Sequence, residues 1–379
     1  LSANRGFALS NSRRLLINQL LSQEWRVLLI TTKDNYSAIL EKDGCTLIEG
    51  YFQRGNFNPY SDWKIFQTLR NIYKQEQPSL VHNFNAKPVI LGTLAAKNVL
   101  GTKVKVFNTI TGLGHAFVSG GIIRTIASLG YRLSLYNTGI TIFQNADDQK
   151  LFIQQGWIKP ENSRLIVGSG VDTQRFFPIA KESNSSDFSL TVTLVCRLLW
   201  QKGVKEFVEA ARLLKPHFPN VRFLLAGEED TSHPDAVPRS FLEKSSEEGL
   251  IEYLGYVKEI PKLLQNTDIF VLPSYYREGT PRVILEAASC GIPTVGVDTV
   301  GTREVIQNEK TGYLVPPQNA KALAEKIGEL VADEKLRNSM GNQARKMIEQ
   351  EFDIRTITKQ YLELYQEAGL SVSTNRILE

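Results

Sequence analysis

Short apolar runs alternate with helical patterns twice along this chain, and that doubled alternation restricts it to a pair of parallel α/β sheets. In the first half, residues 25–31, 80–83, 104–109, 139–144 and 164–167 read as strands, with helical spacing over 12–22, 63–75 and 89–100. A polar, serine-rich break over 179–187 follows. The alternation then restarts with strands at 190–195, 221–226, 251–253, 269–272 and 294–297 and helical patterns at 205–214, 260–264, 320–330, 334–350 and 356–368. Strands joined through helices lie parallel, and 379 residues exceed what one hydrophobic core sustains. The expected fold is therefore α/β, two doubly wound Rossmann-like domains over 1–178 and 187–355.

Charge divides unevenly between the halves. Residues 1–180 hold 20 Lys and Arg against 11 Asp and Glu, and the remainder holds 24 against 29. A basic half of this kind meets an anionic surface or a lipid diphosphate, or is simply solvated; without a dense basic stripe, nucleic acid is not expected. Three widely spaced cysteines, Cys45, Cys196 and Cys290, read as reduced thiols with no zinc spacing. No apolar run is long enough to cross a membrane as a helix. Leu1 stands where a methionine would, and Gly6 arrives where a first strand should already have ended, which leaves open a strand or a cleaved signal ahead of Leu1.

The richest chemistry lies after the apolar run Asp268-Ile269-Phe270-Val271-Leu272-Pro273, in Arg277-Glu278-Gly279-Thr280-Pro281-Arg282-Val283-Ile284-Leu285-Glu286. Proline is favoured at a first helical position, so Pro281 is expected there, with Gly279 and Thr280 at the helix N-terminus. Backbone N–H groups and the helix dipole at such an end bind phosphate. Glu278 precedes the helix and Glu286 lies inside it, so the two carboxylates address different parts of one ligand. Each accepts hydrogen bonds from sugar hydroxyls, worth roughly 1.5–3 kcal/mol when charge-assisted. A sugar nucleotide fits: hexose at Glu278, diphosphate at the helix end, ribose at Glu286.

The two glutamates of Glu278-Gly279-Thr280-Pro281 to Glu286, followed by Ala287-Ala288-Ser289-Cys290-Gly291-Ile292-Pro293, resemble the donor-site signature of family 4 retaining glycosyltransferases. Cys196-Arg197-Leu198-Leu199-Trp200-Gln201-Lys202-Gly203 is similar to that family's Gly-Arg-Leu-x-x-x-Lys-Gly, with Cys196 in place of the first glycine. Gly170-Val171-Asp172 to Phe176-Phe177-Pro178 resembles its exit from the first domain. Asn108-Thr109-Ile110-Thr111-Gly112-Leu113-Gly114-His115-Ala116-Phe117 resembles a subgroup acting on polyprenyl-diphosphate-linked sugars in bacterial surface and exopolysaccharide assembly. The resemblance implies the GT-B arrangement, with the domains facing across a cleft and the last helix, with the tail over 356–379, joined to the first domain. It also implies retention of anomeric configuration.

Arg197 can hold two phosphate oxygens in a fork and Lys202 acts as a point charge. The two cations stabilise the leaving diphosphate without a metal and, with Glu278, which positions the developing oxocarbenium, are the catalytic candidates; no Asp-x-Asp occurs in the chain. Donor contacts are also expected from Gly6, Gly227, Tyr256, Val257, Gly279, Thr280, Pro281 and Glu286. Gly6 is included because a glycine lets backbone approach a ligand. On the acceptor side stand Lys87, Thr111, Gly112 and His115. His82 is either a further catalytic candidate or a packed strand residue; where many family members carry His-x-His, this chain has Phe84 in the second position. Ile122, Ile123, Ile126, Leu129 and Leu133 with Arg124 and Arg132 make residues 121–136 a helix suited either to an anionic membrane surface or to the core.

The expected activity is transfer of a hexose, glucose first, from a UDP-sugar to a lipid-linked or glycan acceptor, with no cofactor. The choice among UDP, GDP and ADP stays open. Two other readings are an epimerase of UDP-sugars on the same fold and a non-catalytic nucleotide-sugar-binding subunit. The protein is expected in the cytoplasm, free or peripheral on the inner face of the plasma membrane.

Overall fold

The structure is a computed structural model that describes residues 1–50, 52, 58–113, 121–179, 190–230, 233–277 and 279–374. The chain divides into two compact units. One holds Leu1–Gly170, Arg277–Thr280 and Ile354–Glu379; the other holds Val171–Tyr276 and Pro281–Asp353. The first break thus falls after Gly170, ahead of the expected Pro178, while most of the serine-rich stretch lies outside the described residues.

In the first unit β1 (Leu28–Thr31) pairs in parallel with β2 (Thr46–Glu49), and β3 (Leu80–Phe84), β4 (Lys105–Ile110), β5 (Ile140–Phe143) and β6 (Ser163–Leu165) form a second parallel set in that order. Ser2 bridges in parallel to both Ile30 and Asn83. Its N–H donates to the His82 carbonyl at 2.9 Å, and Ala3 N–H donates to the Ile30 carbonyl at 3.1 Å. Leu1–Ala3 therefore joins the two sets, and the order across the sheet is β2, β1, Leu1–Ala3, β3, β4, β5, β6.

Helices α1 (Gly6–Ser12), α2 (Arg14–Ser22), α3 (Asn35–Lys42), α4 (Pro59–Glu76), α5 (Thr93–Leu100), α6 (Gly121–Leu135) and α7 (Ala146–Gln154) connect these strands. Local chemistry sets their starts. The Asp34 carboxylate accepts from the N–H groups of Tyr36 and Ser37 at 3.0 and 2.7 Å, and Asp34 N–H donates to Ser37 Oγ at 2.9 Å, closing a capping box on α3.

The second unit carries β7 (Thr191–Val195), β8 (Arg222–Ala226), β9 (Glu252–Gly255), β10 (Ile269–Leu272), β11 (Thr294–Val297) and β12 (Gly312–Val315), all parallel, in the order β12, β11, β10, β7, β8, β9. Every residue of β10 and β11 is buried, as a sheet covered on both faces requires. Helices α8 (Val204–Leu214), α9 (Arg239–Glu247), α10 (Ile260–Gln265), α11 (Arg282–Ser289), α12 (Ala320–Ala332) and α13 (Glu334–Met347) complete it. In α8, Val204, Phe207, Val208, Ala211 and Leu214 recur with helical spacing and are the buried stripe.

The last helix, α14 (Ile354–Glu367), returns to the first unit. Its Ile357, Tyr361, Leu362 and Tyr365 are buried in one cluster with Leu9, Leu29, Phe107 and Ile142. Full burial of such side chains contributes roughly 1.5–3 kcal/mol each. Among the described residues no helix is long and apolar enough to cross a membrane.

Candidate active site

In the second sheet the chain leaves β7 in one direction to β8 and β9 and later in the other to β10, β11 and β12. The carboxyl ends of β7 and β10 therefore flank a topological switch point, where doubly wound sheets bind ligands. The turn after β7 is anchored by Leu198 and Leu199, both buried, while the Arg197 side chain keeps 47% exposure. Arg197 lies 3.9 Å from the Asp230 carboxylate, a distant and partly exposed pair that is worth little.

A 3₁₀ turn, Trp200–Lys202, follows. Lys202 is buried, its ammonium 5.1 Å from the centre of the Tyr276 ring. A cation over an aromatic face is stabilised by roughly 0.5–2 kcal/mol. Gly203 has φ +78°, and a Cβ there would stand 2.3 Å from the Pro273 carbonyl oxygen. Only glycine lets this turn sit against the end of β10, so the Lys-Gly pair of the sequence is one device: the glycine closes the turn and the lysine is carried to the switch point. Tyr275 N–H donates to the Gln201 carbonyl at 3.1 Å, tying the two loops together.

Beside this point, Gly227 N–H donates to the Gly255 carbonyl at 2.9 Å, and Tyr253 Oη donates to the Gly227 carbonyl at 3.2 Å. A Cβ on Gly227 would fall 1.9 Å from the Cys196 carbonyl, so glycine is required by the strand ends themselves. Tyr256 is 66% exposed and Val257 is half-buried.

Pro281 is the N-cap of α11 and not its first residue; its ψ of 109° is extended, and the helix opens at Arg282. The first helical amides are thus those of Arg282 and Val283, and Gly279 and Thr280 lie outside the first turn. Those two belong to the first unit, where Thr280 Oγ1 donates to the Gln144 carbonyl at 3.1 Å and Asn145 Nδ2 donates to the Gly279 carbonyl at 3.3 Å. Arg277, also in that unit, pairs with the fully buried Asp148 at 2.7 Å. Glu286 pairs with Arg282 one turn away at 3.0 Å, its side chain 14% exposed. Burial raises the Glu286 carboxyl above its ordinary range, an effect partly offset by Arg282 and Arg175. Glu278 lies outside the described residues.

In the first unit several expectations change. His82 is fully buried, with Nδ1 2.5 Å from Tyr365 Oη and Nε2 2.8 Å from Thr109 Oγ1. It stacks on Phe84 at 4.1 Å, and burial, aided by the Arg13 guanidinium, holds the ring well below its usual range. His82 is a packed strand residue and not a catalytic base. Gly6 is required by packing: a Cβ there would be 2.4 Å from Asp34 Oδ1, in the cap of α3. The Lys87 ammonium is engaged by Asp62 at 2.7 Å. Thr111 Oγ1 accepts from Asn85 Nδ2 at 2.9 Å, and Gly112 has φ +116°. His115 lies outside the described residues.

The pairing of Arg277 with Asp148 escaped the sequence reading. Its legible part was the Asn145-x-x-Asp148 spacing at the start of α7, where Asn145 Oδ1 accepts from Asp148 N–H at 2.7 Å.

Residues 176–347 match the family described as glycosyl transferases group 1, and residues 3–145 match the glycosyl transferase 4-like family. The N,N'-diacetylbacillosaminyl-diphospho-undecaprenol alpha-1,3-N-acetylgalactosaminyltransferase of Campylobacter jejuni is 33% identical over 377 residues, covering 96% of each chain. The UDP-Gal:alpha-D-GlcNAc-diphosphoundecaprenol alpha-1,3-galactosyltransferase of Escherichia coli is 26% identical, over 82% of this chain and 81% of its own length. Among solved structures, Anabaena HepE in complex with UDP matches with a TM-score of 0.78 at 19% identity, over 97% of this chain and 99% of its own. Two Rossmann-order sheets and these matches define a glycosyltransferase of the GT-B fold. The chain belongs to the group 1, family 4-like glycosyltransferases.

Proposed function

We propose that this enzyme transfers a hexose or N-acetylhexosamine from a UDP-sugar to a lipid-diphosphate-linked sugar, with retention, in bacterial polysaccharide or glycan assembly. The observation that carries the reading is the pair Arg197 and Lys202 at the β7/β10 switch point, one half-exposed, the other buried and held by the turn that Gly203 closes. As the bond from anomeric carbon to phosphate oxygen breaks, negative charge grows on the departing diphosphate. Two cations placed there stabilise that charge more than the ground state, with no metal assigned to the task. Glu278 positions the hexose and Glu286 the ribose, the Arg282 pair holding the latter carboxylate in place.

The names of the Campylobacter and Escherichia coli relatives support a lipid-linked acceptor and add N-acetylgalactosamine, and galactose from UDP-galactose, to glucose as the sugars to be tested. Helix α6 supports a membrane-facing role. Its Tyr131 and Leu135 are in the core, yet Ile123, Leu129, Leu133 and Tyr136 just beyond it are exposed, with Arg124 and Arg132 exposed on the same helix. A helix with an outward apolar strip flanked by cations lies on anionic lipid at the inner leaflet.

The test is incubation with UDP-glucose, UDP-galactose, UDP-N-acetylgalactosamine, UDP-N-acetylglucosamine, GDP-mannose and ADP-glucose, with and without N-acetylglucosaminyl diphosphate on a short polyprenyl chain, read by mass spectrometry. Release of UDP from one donor, accelerated by the acceptor with gain of one sugar on it, is expected. A new free UDP-sugar would instead indicate an epimerase, and absence of any UDP release would overturn the reading.

A further inference from the structure

The turn Trp200–Lys202 is three residues long, and the residue before it, Leu199, caps it with no side-chain hydrogen bond. Its opening amides take their acceptors instead from one residue on the loop after β8, Asp235. Trp200 N–H donates to the Asp235 carbonyl at 2.9 Å, and Gln201 N–H donates to Asp235 Oδ2 at 3.0 Å. A helical turn leaves its first amides without partners of its own, so the residue that supplies both fixes where the turn begins. The bond to the carboxylate is the stronger kind, because its acceptor is charged.

Asp235 is itself held in place. Leu199 and Ala236 bridge antiparallel, and Val237 N–H donates to the Leu198 carbonyl at 2.9 Å, so 235–237 runs as a short ribbon along 198–201. His233 Nδ1 accepts from Asp235 N–H at 3.1 Å, and Ala236 N–H donates to the His233 carbonyl at 3.0 Å. The Trp200 ring meets Phe241 of α9 edge-on at 4.9 Å. From the other side, the Gln201 carbonyl accepts from Tyr275 N–H at 3.1 Å and from Ser274 Oγ at 3.4 Å. Gln201, the residue ahead of Lys202, is thus gripped at its N–H by the loop after β8 and at its carbonyl by the loop after β10.

This mounting matters for the buried cation. Lys202 is 8% exposed, and it can stabilise a departing diphosphate only from a fixed place. A misplacement of about 1 Å in a catalytic group can cost on the order of a hundred-fold in rate. Gly203 fixes the end of the turn, and Asp235 fixes its start.

We propose that Asp235 is a positioning residue of the transfer reaction, its carboxylate setting the Trp200–Lys202 turn and, through that turn, the place of the Lys202 ammonium. The assignment rests on the glycosyl-transfer reading and deepens it. Asp235→Ala removes the side-chain acceptor but keeps the carbonyl bond to Trp200 and the bridge at Ala236, so the fold is retained. Asp235→Asn keeps an oxygen able to accept from Gln201 N–H, without the charge.

The test is a double-mutant cycle with Lys202→Ala. Sugar transfer to N-acetylglucosaminyl diphosphate on a short polyprenyl chain is measured at steady state, with whichever of the six donors above wild type uses, and melting is followed in parallel. Asp235→Ala is expected to lower kcat about ten-fold, with donor KM within about two-fold of wild type and the melting temperature unchanged. Asp235→Asn should return kcat to within about three-fold of wild type, and Asp235→Ala should cost nothing further once Lys202 is gone. Should the alanine protein not fold, Asp235→Glu, which keeps the charge but displaces the acceptor, takes its place in the cycle with the same expectations. Losses that multiply in the double variant, an unchanged kcat, or an Asn variant as slow as the alanine one overturn the assignment and leave the donor reading intact. Wild type that releases a nucleoside diphosphate from none of the six donors overturns the glycosyl-transfer reading, and the assignment with it.

Discussion

Replacing His82 by leucine separates a structural histidine from a catalytic one. The ring is fully buried between Tyr365 and Thr109, against Phe84, with Tyr361 and the Arg13 guanidinium also facing it. The folded protein keeps the imidazole neutral, whereas the unfolded chain takes up a proton below about pH 6.5. The folded pKa is therefore the lower of the two, and stability that is complete above the unfolded value falls as pH drops. Below the unfolded value the loss approaches roughly 1 kcal/mol per pH unit for one such group. His82→Leu eliminates that dependence but takes away the partner of Tyr365 Oη, at about 1–3 kcal/mol, and one of the two partners of Thr109 Oγ1, which keeps Tyr361 Oη at 3.5 Å. Urea unfolding of both proteins above and below the unfolded value gives the difference, and NMR of ¹³C-labelled histidine follows the ring directly. We expect a His82 ring that titrates well below the ordinary histidine range, a less stable variant with a flatter pH response, and wild-type turnover in its folded fraction. A ring titrating near 6.5, or a fully stable variant whose turnover has fallen a hundred-fold, would refute the packing argument.

Arg197→Ala and Lys202→Ala should each lower kcat/KM by about 10- to 100-fold, with Lys202 the larger because its charge is buried; steady-state kinetics with the identified donor would show this. Gly203→Ala should destabilise the second unit by about 2 kcal/mol or more, from the left-handed backbone and the contact with the Pro273 carbonyl, and an unchanged melting curve would count against it. Arg124→Glu with Arg132→Glu should cut sedimentation with anionic vesicles about ten-fold or more, and unchanged binding would remove α6 from the membrane. Turnover should survive EDTA, since two side-chain cations are assigned to the diphosphate; loss restored by Mg²⁺ would contradict that assignment.

The second sheet was legible because its central strands are short, mostly apolar and followed by turn residues, and because Arg197, Lys202 and Gly203 stand at a strand end. The edges were less so. β2 is half-exposed, with no apolar run to mark it, and β12 begins on Gly312, whose role is to let β11 approach: a Cβ there would meet the Thr294 carbonyl at 2.1 Å. The start of α11 moved by one residue because proline serves equally as a cap with extended ψ and as a first helical residue. His82 and Gly6 show a different limit. A histidine in a strand and a glycine after one look the same in sequence whether they meet a ligand or a neighbouring helix, and only the partners, Tyr365 and Asp34, tell them apart. Asp235 gave no signal, since its meeting with Trp200 and Gln201 depends on the path of the loop after β8.

The place of α14 sets the order in which this protein can be completed. Tyr361, Leu362 and Tyr365 are part of the first unit's core, yet they leave the ribosome only after all of 171–353. At typical synthesis rates of roughly 5–20 residues per second, the first sheet waits on the order of 10–40 s for its last core helix. The second unit, begun later, has all of its own core residues available sooner. During that interval the groove left by α14 exposes Leu9, Leu29 and Phe107 to the cell, so chaperone demand should fall on the half of the chain that was made first.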